Sequence, residues 1–367
     1  MRGVGRKAIA PAESLNLELA EIKAAGLYRE AHPADPKLAV FAANDYLGLA
    51  PAIGGSTGSR LTTGTTRYHE ALENLLARFE HREAALLFAT GYMANVGTIS
   101  ALVGKEDAVF SDALNHASII DGCRLSGAKT VVYGHLDYDE LERQLAATSA
   151  RRKLVVSDGV FSMDGDIAPL PAMLELCRRY DAFSFIDDAH AVGVLGKTGR
   201  GTAEHFGCAR ADLTVGTLSK ALGSEGGFVC TSRKLADYLV NRSRAYIFST
   251  SPAPASVGAA REALNILAAG PDLVELLRAK TRFFTAELRN RGLEAKTQTA
   301  IGPIAIGDEN KAVAIAARLL ERGFLIPAIR YPTVARGKAR LRVAISAAHD
   351  YETLATAAEA IRKETAH

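Results

Sequence analysis

The sequence predicts an α/β protein that is built on a mainly parallel sheet and carries a smaller α+β unit near its end. Helical and strand-like stretches alternate from about Glu70 onward, an order typical of parallel sheets with helices on both faces. In addition, Asp187 and Lys220 each follow closely on an apolar, strand-like run. Ligands of such sheets bind beyond the carboxyl ends of the strands, so the two residues also indicate where a site lies.

The predicted elements follow in order along the chain. Residues 14–28 have apolar side chains at helical spacing, namely Leu15, Leu19, Ile22 and Leu27. Residues 31–36 contain two prolines and end this pattern, which predicts an N-terminal helical arm. A helix to Phe79, a strand over residues 84–89 and a helix after Tyr92 come next. Six more strands are predicted near Ala108, Thr130, Leu154, Phe183, Leu213 and Gly227.

The last third of the chain has a different pattern. A Pro-Ala-Pro stretch at residues 252–254 precedes a helix-rich run over residues 256–293, and strands are predicted near Ile304 and Leu341. This predicts a second, smaller unit. The expected domains are an N-terminal arm over residues 1–43, a large domain over residues 44–254 and a small domain over residues 255–367.

Composition narrows the class of protein. The 367 residues are 48% hydrophobic and 23% charged, and the formal net charge is +3, so no basic stripe indicates nucleic-acid binding. No apolar run approaches the roughly 20 residues that span a bilayer, and no secretory apolar core follows the N-terminus, so we expect a cytoplasmic protein. The four cysteines form no Cys-x-x-Cys pair, which predicts neither a metal site nor a disulfide framework.

The segments around Asp187 and Lys220 suit a pyridoxal phosphate site. A lysine amine can hold the cofactor aldehyde as a Schiff base, and a carboxylate facing the pyridine nitrogen keeps the ring protonated and electron-accepting. Asp187 ends an apolar run, and His190 follows three residues later. A lone lysine in a loop is usually a solvated charge, but its combination with this Asp-x-x-His pattern favours catalysis.

A phosphate site is predicted where a strand-like run passes into a helix at residues 90–93. Free backbone N–H groups and the helix dipole favour an anion at such a helix start. A plain strand-to-helix turn is the alternative for this stretch taken alone.

Five motifs together resemble those of the α-oxoamine synthases, in order and spacing; they are residues 44–48, 114–118, 158–166, 187–190 and 217–220. These enzymes join an amino acid to an acyl-CoA with loss of carbon dioxide. The similarity runs from about Leu15 to His349. It implies the type I fold of pyridoxal phosphate-dependent transferases, with a seven-stranded sheet, pyridoxal 5'-phosphate as cofactor and a homodimer with shared active sites.

The resemblance also implies roles for particular residues. The catalytic set is Lys220, His116 and Asp187, with His116 stacked on the cofactor ring. Ser162 and His190 would contact the ring hydroxyl, and the phosphate would be held by Gly91, Tyr92, Thr217 and, from the neighbouring subunit, Thr250. Asn44 and Arg342 are candidates for the amino acid carboxylate, because a guanidinium suits that planar anion. Candidates for the acyl chain or its far carboxylate are Arg29, Arg330 and Thr333.

Within the family, residues 58–65, 223–227 and 328–334 resemble members that condense L-alanine with pimeloyl-CoA or a pimeloyl-carrier protein. The nearest alternative is acetylation of glycine, because residues 111–121 and 158–165 also resemble the family members that catalyse it. Synthesis of 5-aminolevulinate and palmitoylation of serine are others, and a fold-mate that binds the cofactor without turnover is an alternative of another class. One departure is that only residues 49–53 separate Gly48 from Gly54, where the family usually has a helix.

Overall fold

The computed structural model describes residues 11–31, 55–270, 272–295 and 297–366, so Asn44 and the short segment 49–53 lie outside the described residues. Seven strands form the large sheet: β1 (Ala84–Phe88), β2 (Ala108–Asp112), β3 (Lys129–Tyr133), β4 (Lys153–Asp158), β5 (Phe183–Asp187), β6 (Leu213–Thr217) and β7 (Gly227–Thr231). Their order is β1-β7-β6-β5-β4-β2-β3. β7 pairs antiparallel with both β1 and β6, whereas β2 to β6 pair in parallel. The predicted seven-stranded, mainly parallel sheet is confirmed.

Helices cover both faces of this sheet because neighbouring strand residues point to opposite sides. Between residues 11 and 247, the described part of the chain has nine helices: α1 (Pro11–Ala24), α2 (Arg67–Phe79), α3 (Gly91–Leu102), α4 (Ala117–Ser126), α5 (Tyr138–Ala147), α6 (Leu170–Arg179), α7 (Thr202–Phe206), α8 (Arg233–Arg242) and α9 (Arg244–Ile247). In β4, Val156 packs in one apolar cluster with Ile99 of α3, and Val155 packs in another with Met173 of α6. The sheet is therefore the middle layer of three.

The N-terminal helix α1 is held by a buried arginine. Arg152, the residue before β4, is 1% exposed. Its guanidinium donates to Glu18 Oε1 at 2.5 Å and to Ser14 Oγ at 2.6 Å. The helix ends at Ala24, four residues before the predicted end, because Gly26 takes a left-handed φ of +68°. Leu27, assigned to the apolar face from its spacing, is consequently 62% exposed.

The last part of the chain forms a second, antiparallel sheet with its own apolar cluster. Its elements are α10 (Pro254–Ala269), α11 (Asp272–Asn290), β8 (Ile301–Gly307), α12 (Glu309–Glu321), β9 (Ala328–Ile329), β10 (Ala339–Ala344) and α13 (Tyr351–Thr365). The strand order is β8-β10-β9. Phe284, Leu341 and Ile361 belong to one buried cluster between this sheet and its helices. The two-residue strand β9 was not predicted, because it is too short to show an alternating pattern.

Among the helices in the described ranges, none combines the length and the apolar character needed to cross a membrane.

Candidate active site

Four polar residues lie at the carboxyl ends of the parallel strands. Asp187 ends β5 and is paired in register with Asp158, the last residue of β4. Lys220 follows β6, and His116 lies between β2 and α4. Because parallel strands bring their carboxyl ends to one edge of the sheet, residues that are up to about 100 positions apart in sequence meet there.

The Asp187 carboxylate is buried and held by two donors. Its side chain is 4% exposed. Oδ2 accepts a hydrogen bond from Asn95 Nδ2 at 2.6 Å, and Oδ1 accepts one from the backbone N–H of Ala189 at 2.9 Å. Hydrogen bonds to the charged form favour an ionised carboxylate. These two hydrogen bonds fix the orientation of the Asp187 carboxyl group at the base of the site.

His116 is fixed through both its backbone and its ring. Its backbone N–H donates to Asp158 Oδ2 at 2.7 Å, and its Nδ1 lies 2.7 Å from Ser118 Oγ. Burial and the nearby Asp187 hold the pKa of Asp158 well above its usual range. His116 as a whole is exposed, so a flat ligand could stack on its ring.

Lys220 opens into a cavity of about 570 Å³ that is also lined by His190 and Arg342. Lys220 is an exposed residue, and its amine reaches solvent through the cavity, where the neighbouring protein partly desolvates it. Burial lowers the pKa of this amine, and Arg342 acts in the same direction, whereas the carboxylates of Asp187 and Asp158 oppose the shift. A larger fraction of neutral amine, the form that reacts with aldehydes and accepts protons, follows from the lowered pKa.

Arg342 enters the same cavity from the small sheet. It lies on β10, and its Nε donates to the backbone carbonyl of Ser162 at 2.5 Å. Burial lowers the pKa of Arg342, but a guanidinium stays charged at neutral pH. The cavity therefore holds a fixed positive charge beside the Lys220 amine.

His190 is neutral at physiological pH. Burial lowers its pKa to about 3, and the positive charges of Lys220 and Arg342 act in the same direction. A neutral imidazole can both donate and accept hydrogen bonds. Neutral His190 can therefore accept a hydrogen bond from a ligand hydroxyl or donate one to its ionised form.

The start of α3 lies against the end of β6 and the start of β7. A Cβ atom at Gly91 would lie 3.3 Å from Thr217 Oγ1, and one at Gly227 would lie 2.6 Å from the backbone of Gly91. Thr217 Oγ1 is also 2.7 Å from Ser219 Oγ. First-turn N–H groups have no intrahelical acceptor, so backbone donors and two hydroxyls converge where glycines leave space.

This cradle fits a phosphate group, and the buried carboxylate and the reactive amine nearby fit the other ends of pyridoxal phosphate. The Tyr92 hydroxyl donates to Asp121 Oδ2 at 2.6 Å, so within one chain its phenol is engaged on the surface. Its backbone N–H, in the first turn of α3, is the group that Tyr92 presents toward the cradle.

A clamp holds the loop that carries Ser162. His135 lies between Asp112 Oδ1 at 3.0 Å and Asp166 Oδ2 at 2.6 Å. Burial lowers the pKa of His135, but the hydrogen bonds to these two carboxylates outweigh it and raise the pKa to about 10. A charged imidazole thus ties the loop after β4 to the end of β2.

Several predicted residues lie elsewhere in the single chain. Thr250 is exposed and forms an isolated bridge with Ser59. Arg29 is also exposed, and its backbone N–H donates to Asn241 Oδ1 at 2.7 Å. Arg330 and Thr333 line a separate surface groove of about 510 Å³. None of these four lines the cavity that contains Lys220.

Asn95, Asp158 and Ser219 were not assigned roles from the sequence, yet they contact the site. Asn95 is 1% exposed in an otherwise apolar part of α3. A lone amide among apolar helix residues indicates a buried polar partner, and that signal was present. The partner, 92 residues away, could not be identified from it.

Comparisons with known proteins agree with this geometry. The family model described as aminotransferase class I and II matches residues 26–361. The chain is 46% identical to 8-amino-7-oxononanoate synthase of Exiguobacterium sibiricum, over 96% of this chain and 97% of that protein. It is also 46% identical to 8-amino-7-oxononanoate synthase 2 of Bacillus subtilis, over 91% and 93% of the two chains.

Among solved structures, a serine palmitoyltransferase from S. paucimobilis with a bound PLP-myriocin aldimine superimposes with a TM-score of 0.83, at 29% identity and 98% coverage of both chains. The predicted type I fold and pyridoxal phosphate as cofactor are confirmed by these likenesses. Sequence identity, family model and fold agree, and the chain belongs to the aminotransferase class I and II family, in its pyridoxal phosphate-dependent α-oxoamine synthase branch.

Proposed function

We propose that the protein condenses L-alanine with a pimeloyl thioester to give 8-amino-7-oxononanoate, carbon dioxide and the free thiol carrier, a step of biotin biosynthesis. Relatives that carry this product in their names are 46% identical over more than nine-tenths of the chain. The product has nine carbons. A seven-carbon pimeloyl group supplies the carboxylate end and the ketone, and alanine without its carboxyl group supplies the last two carbons.

The observation that carries the proposal is that the Lys220 amine and the Arg342 guanidinium line one cavity. An α-amino acid presents an amine and a carboxylate on one carbon: Arg342 can bind the carboxylate, and the amine would then lie near Lys220, where it could replace the lysine amine at the cofactor aldehyde. A guanidinium binds a carboxylate through two parallel hydrogen bonds. Arg342 would therefore set the orientation of alanine, and the reacting carbon would lie near Lys220.

Proton transfer in this scheme belongs to Lys220. Bound in the cradle, pyridoxal phosphate supplies an electron-accepting ring that stabilises negative charge at the α-carbon of the substrate. Lys220 Nζ, whose pKa is lowered by burial, would accept the α-proton and later return a proton to the product. A base whose pKa lies nearer to neutrality serves both steps.

Asp187, His190 and His116 would orient the reacting groups. The Asp187 carboxylate would face the pyridine nitrogen and keep it protonated, and neutral His190 would bind the ring hydroxyl. The ring of the exposed His116 would cover one face of the cofactor and exclude water there. Gly91, Tyr92 and Thr217 would hold the phosphate. Ser162, which lies beside Arg342, would contact the ring hydroxyl.

The proposal includes a homodimer with shared sites and a cytoplasmic location. Thr250 is exposed, lies away from the Lys220 cavity, and follows the 68% exposed Phe248 by two positions. Exposure of this kind suits residues that meet a second chain in a two-fold interface. Arg29, Asn44, Arg330 and Thr333 are proposed to bind the acyl chain or substrate carboxylates in that assembly.

The test is a comparison of CoA release among substrate pairs. Purified protein with pyridoxal phosphate is given alanine with pimeloyl-CoA, glycine with acetyl-CoA, or serine with palmitoyl-CoA, and the product is identified by mass spectrometry. We expect the first pair to give the highest kcat/KM. Faster turnover of glycine with acetyl-CoA would replace this assignment with glycine acetylation.

A cofactor-binding protein without turnover is separated by a second measurement. Alanine is added first, and the absorption of the bound cofactor is recorded before the acyl donor is supplied. We expect both a spectral change and subsequent CoA release. A spectral change with no release for any acyl-CoA or acyl-carrier protein would favour the inactive alternative.

A further inference from the structure

Three hydrogen bonds connect the two residues that flank the cofactor site. Asn95 Nδ2 is 2.6 Å from Asp187 Oδ2 and 2.8 Å from Ser118 Oγ. Ser118 Oγ is in turn 2.7 Å from His116 Nδ1. The path therefore runs from a carboxylate through an amide and a hydroxyl to an imidazole, and it joins β5, α3 and α4.

The two linking side chains are enclosed by protein. Ser118 is 0% exposed and Asn95 is 1% exposed, so water does not compete for these bonds. Polar groups buried in this way keep their hydrogen bonds because losing one leaves a desolvated donor or acceptor. The path is consequently a fixed part of the site rather than a surface arrangement.

The direction of each hydrogen bond follows from Asp187. An ionised carboxylate only accepts, so the amide of Asn95 must present its NH₂ group, whose two protons go to Asp187 and to Ser118 Oγ. The single Ser118 hydroxyl proton is then left for His116 Nδ1. Turning the amide around would place its oxygen 2.6 Å from a carboxylate oxygen, which requires a protonated Asp187.

A second donor gives the same result for the imidazole. The backbone N–H of Ser118 donates to His116 Nδ1 at 3.2 Å. Nδ1 therefore accepts from both the hydroxyl and the backbone N–H of Ser118. A neutral histidine carries its proton on the other ring nitrogen when Nδ1 accepts. His116 is therefore the tautomer with its proton on Nε2.

We propose that Asn95 and Ser118 are positioning residues that couple the charge of Asp187 to the imidazole of His116 and hold it as the Nε2–H tautomer. This inference rests on the proposed function, in which Asp187 and His116 contact the cofactor. Asn95 and Ser118 are both buried and act through those two residues.

The experiment follows the ring nitrogens of His116 by ¹⁵N NMR in full-length, histidine-labelled protein, before and after addition of pyridoxal phosphate. Loss of a signal in His116→Gln assigns it. We expect an unprotonated Nδ1 and a protonated Nε2 in the wild type. In Asn95→Ala and Ser118→Ala, the Nδ1 signal should move toward the protonated value, and the dissociation constant of pyridoxal phosphate should rise roughly tenfold.

A matched control and a coupling test distinguish positioning from general damage. Thr98→Val changes a buried residue of the same helix whose hydroxyl makes no hydrogen bond to the path, and it should leave the His116 signals and cofactor affinity unchanged. Asp187→Asn should shift the His116 signals in the wild-type background and shift them much less in Asn95→Ala. Ser118→Thr, which keeps the hydroxyl, should retain the wild-type tautomer.

The inference is overturned if Asn95→Ala and Ser118→Ala both give the signals and affinity of Thr98→Val. Should Asn95→Ala not fold, Ser118→Ala interrupts the same path one bond further along and decides the matter. These readouts need no acyl donor. Failure of the alanine and pimeloyl-CoA assay would therefore leave the tautomer result standing, and the reverse also holds.

Discussion

Site residues were predicted both at the carboxyl edge of the large sheet and in the exposed segments around Thr250 and Arg330. Within the described part of the single chain, only the residues at the sheet edge lie together. At the sheet edge, Asp187 and Lys220 lie together because β5 and β6 are paired in register. Thr250 and Arg330 lie on exposed surface, outside that cavity. Backbone pairing inside one chain assembles the first group, whereas nothing in the part of the chain that the structure describes brings Thr250 or Arg330 to the cavity; the proposed homodimer would be required for that.

Removing the amine at the sheet edge should have the largest effect. Lys220→Ala is expected to lower kcat by at least about a thousandfold, because the same side chain binds the cofactor and moves the α-proton. Lys129→Ala, which removes an exposed lysine of β3, is the matched control and should retain activity. CoA release with alanine and pimeloyl-CoA is the measurement, and near-normal turnover in Lys220→Ala would remove the central assignment.

Neutralising the carboxylate should have the next largest effect. Asp187→Asn is expected to keep bound cofactor, since an amide can still hydrogen-bond, but to lower kcat on the order of a hundredfold, because it cannot stabilise a pyridinium charge. Cofactor occupancy from absorbance and kcat are measured on the same sample. Full activity at full occupancy would show that Asp187 does not face the ring nitrogen.

The sequence predicted the sheet-edge residues because their signals are local. An apolar run of five residues followed by Asp-Asp-Ala-His specifies both a strand and the place where its carboxylate emerges. The Asn95 to Asp187 contact could not be predicted in this way, because the partners are 92 residues apart and their pairing depends on how α3 packs on β5. Local patterns define which residues reach the edge, and tertiary packing decides what holds them.

Mixing two inactive or weakened chains would test whether the exposed group is completed by a partner. A Lys220→Ala chain and a Thr250→Ala chain should form hybrid dimers in which one of two sites has both intact groups. With random assortment, recovery of about a quarter of wild-type sites is expected at limiting cofactor. Active monomers in sedimentation, or no recovery in verified hybrids, would place Thr250 outside the shared site.

The smallest expected effect concerns the His135 clamp. The pKa of His135 is raised from 6.5 to about 10 in the folded protein, so its stabilising contribution is fully present below pH 6.5 and is lost as pH rises toward 10. The urea midpoint of the wild type should exceed that of His135→Gln at pH 6, and the difference should shrink steadily up to pH 10. A difference that is constant over this range would mean that the charge of His135 does not stabilise the fold.

Arg152 has a consequence for shortened forms of the chain. Its buried guanidinium depends on Glu18 and Ser14 of α1, although it belongs to the edge of the sheet farthest from the carboxyl ends. Deleting the residues up to Ala24 would leave the buried Arg152 guanidinium without the Glu18 carboxylate. We expect this deletion to lower the free energy of unfolding by about 3 kcal/mol or more. The first helix thus neutralises a charge in the interior, and a deletion that spares every active-site residue should still lower the melting temperature of the whole large domain.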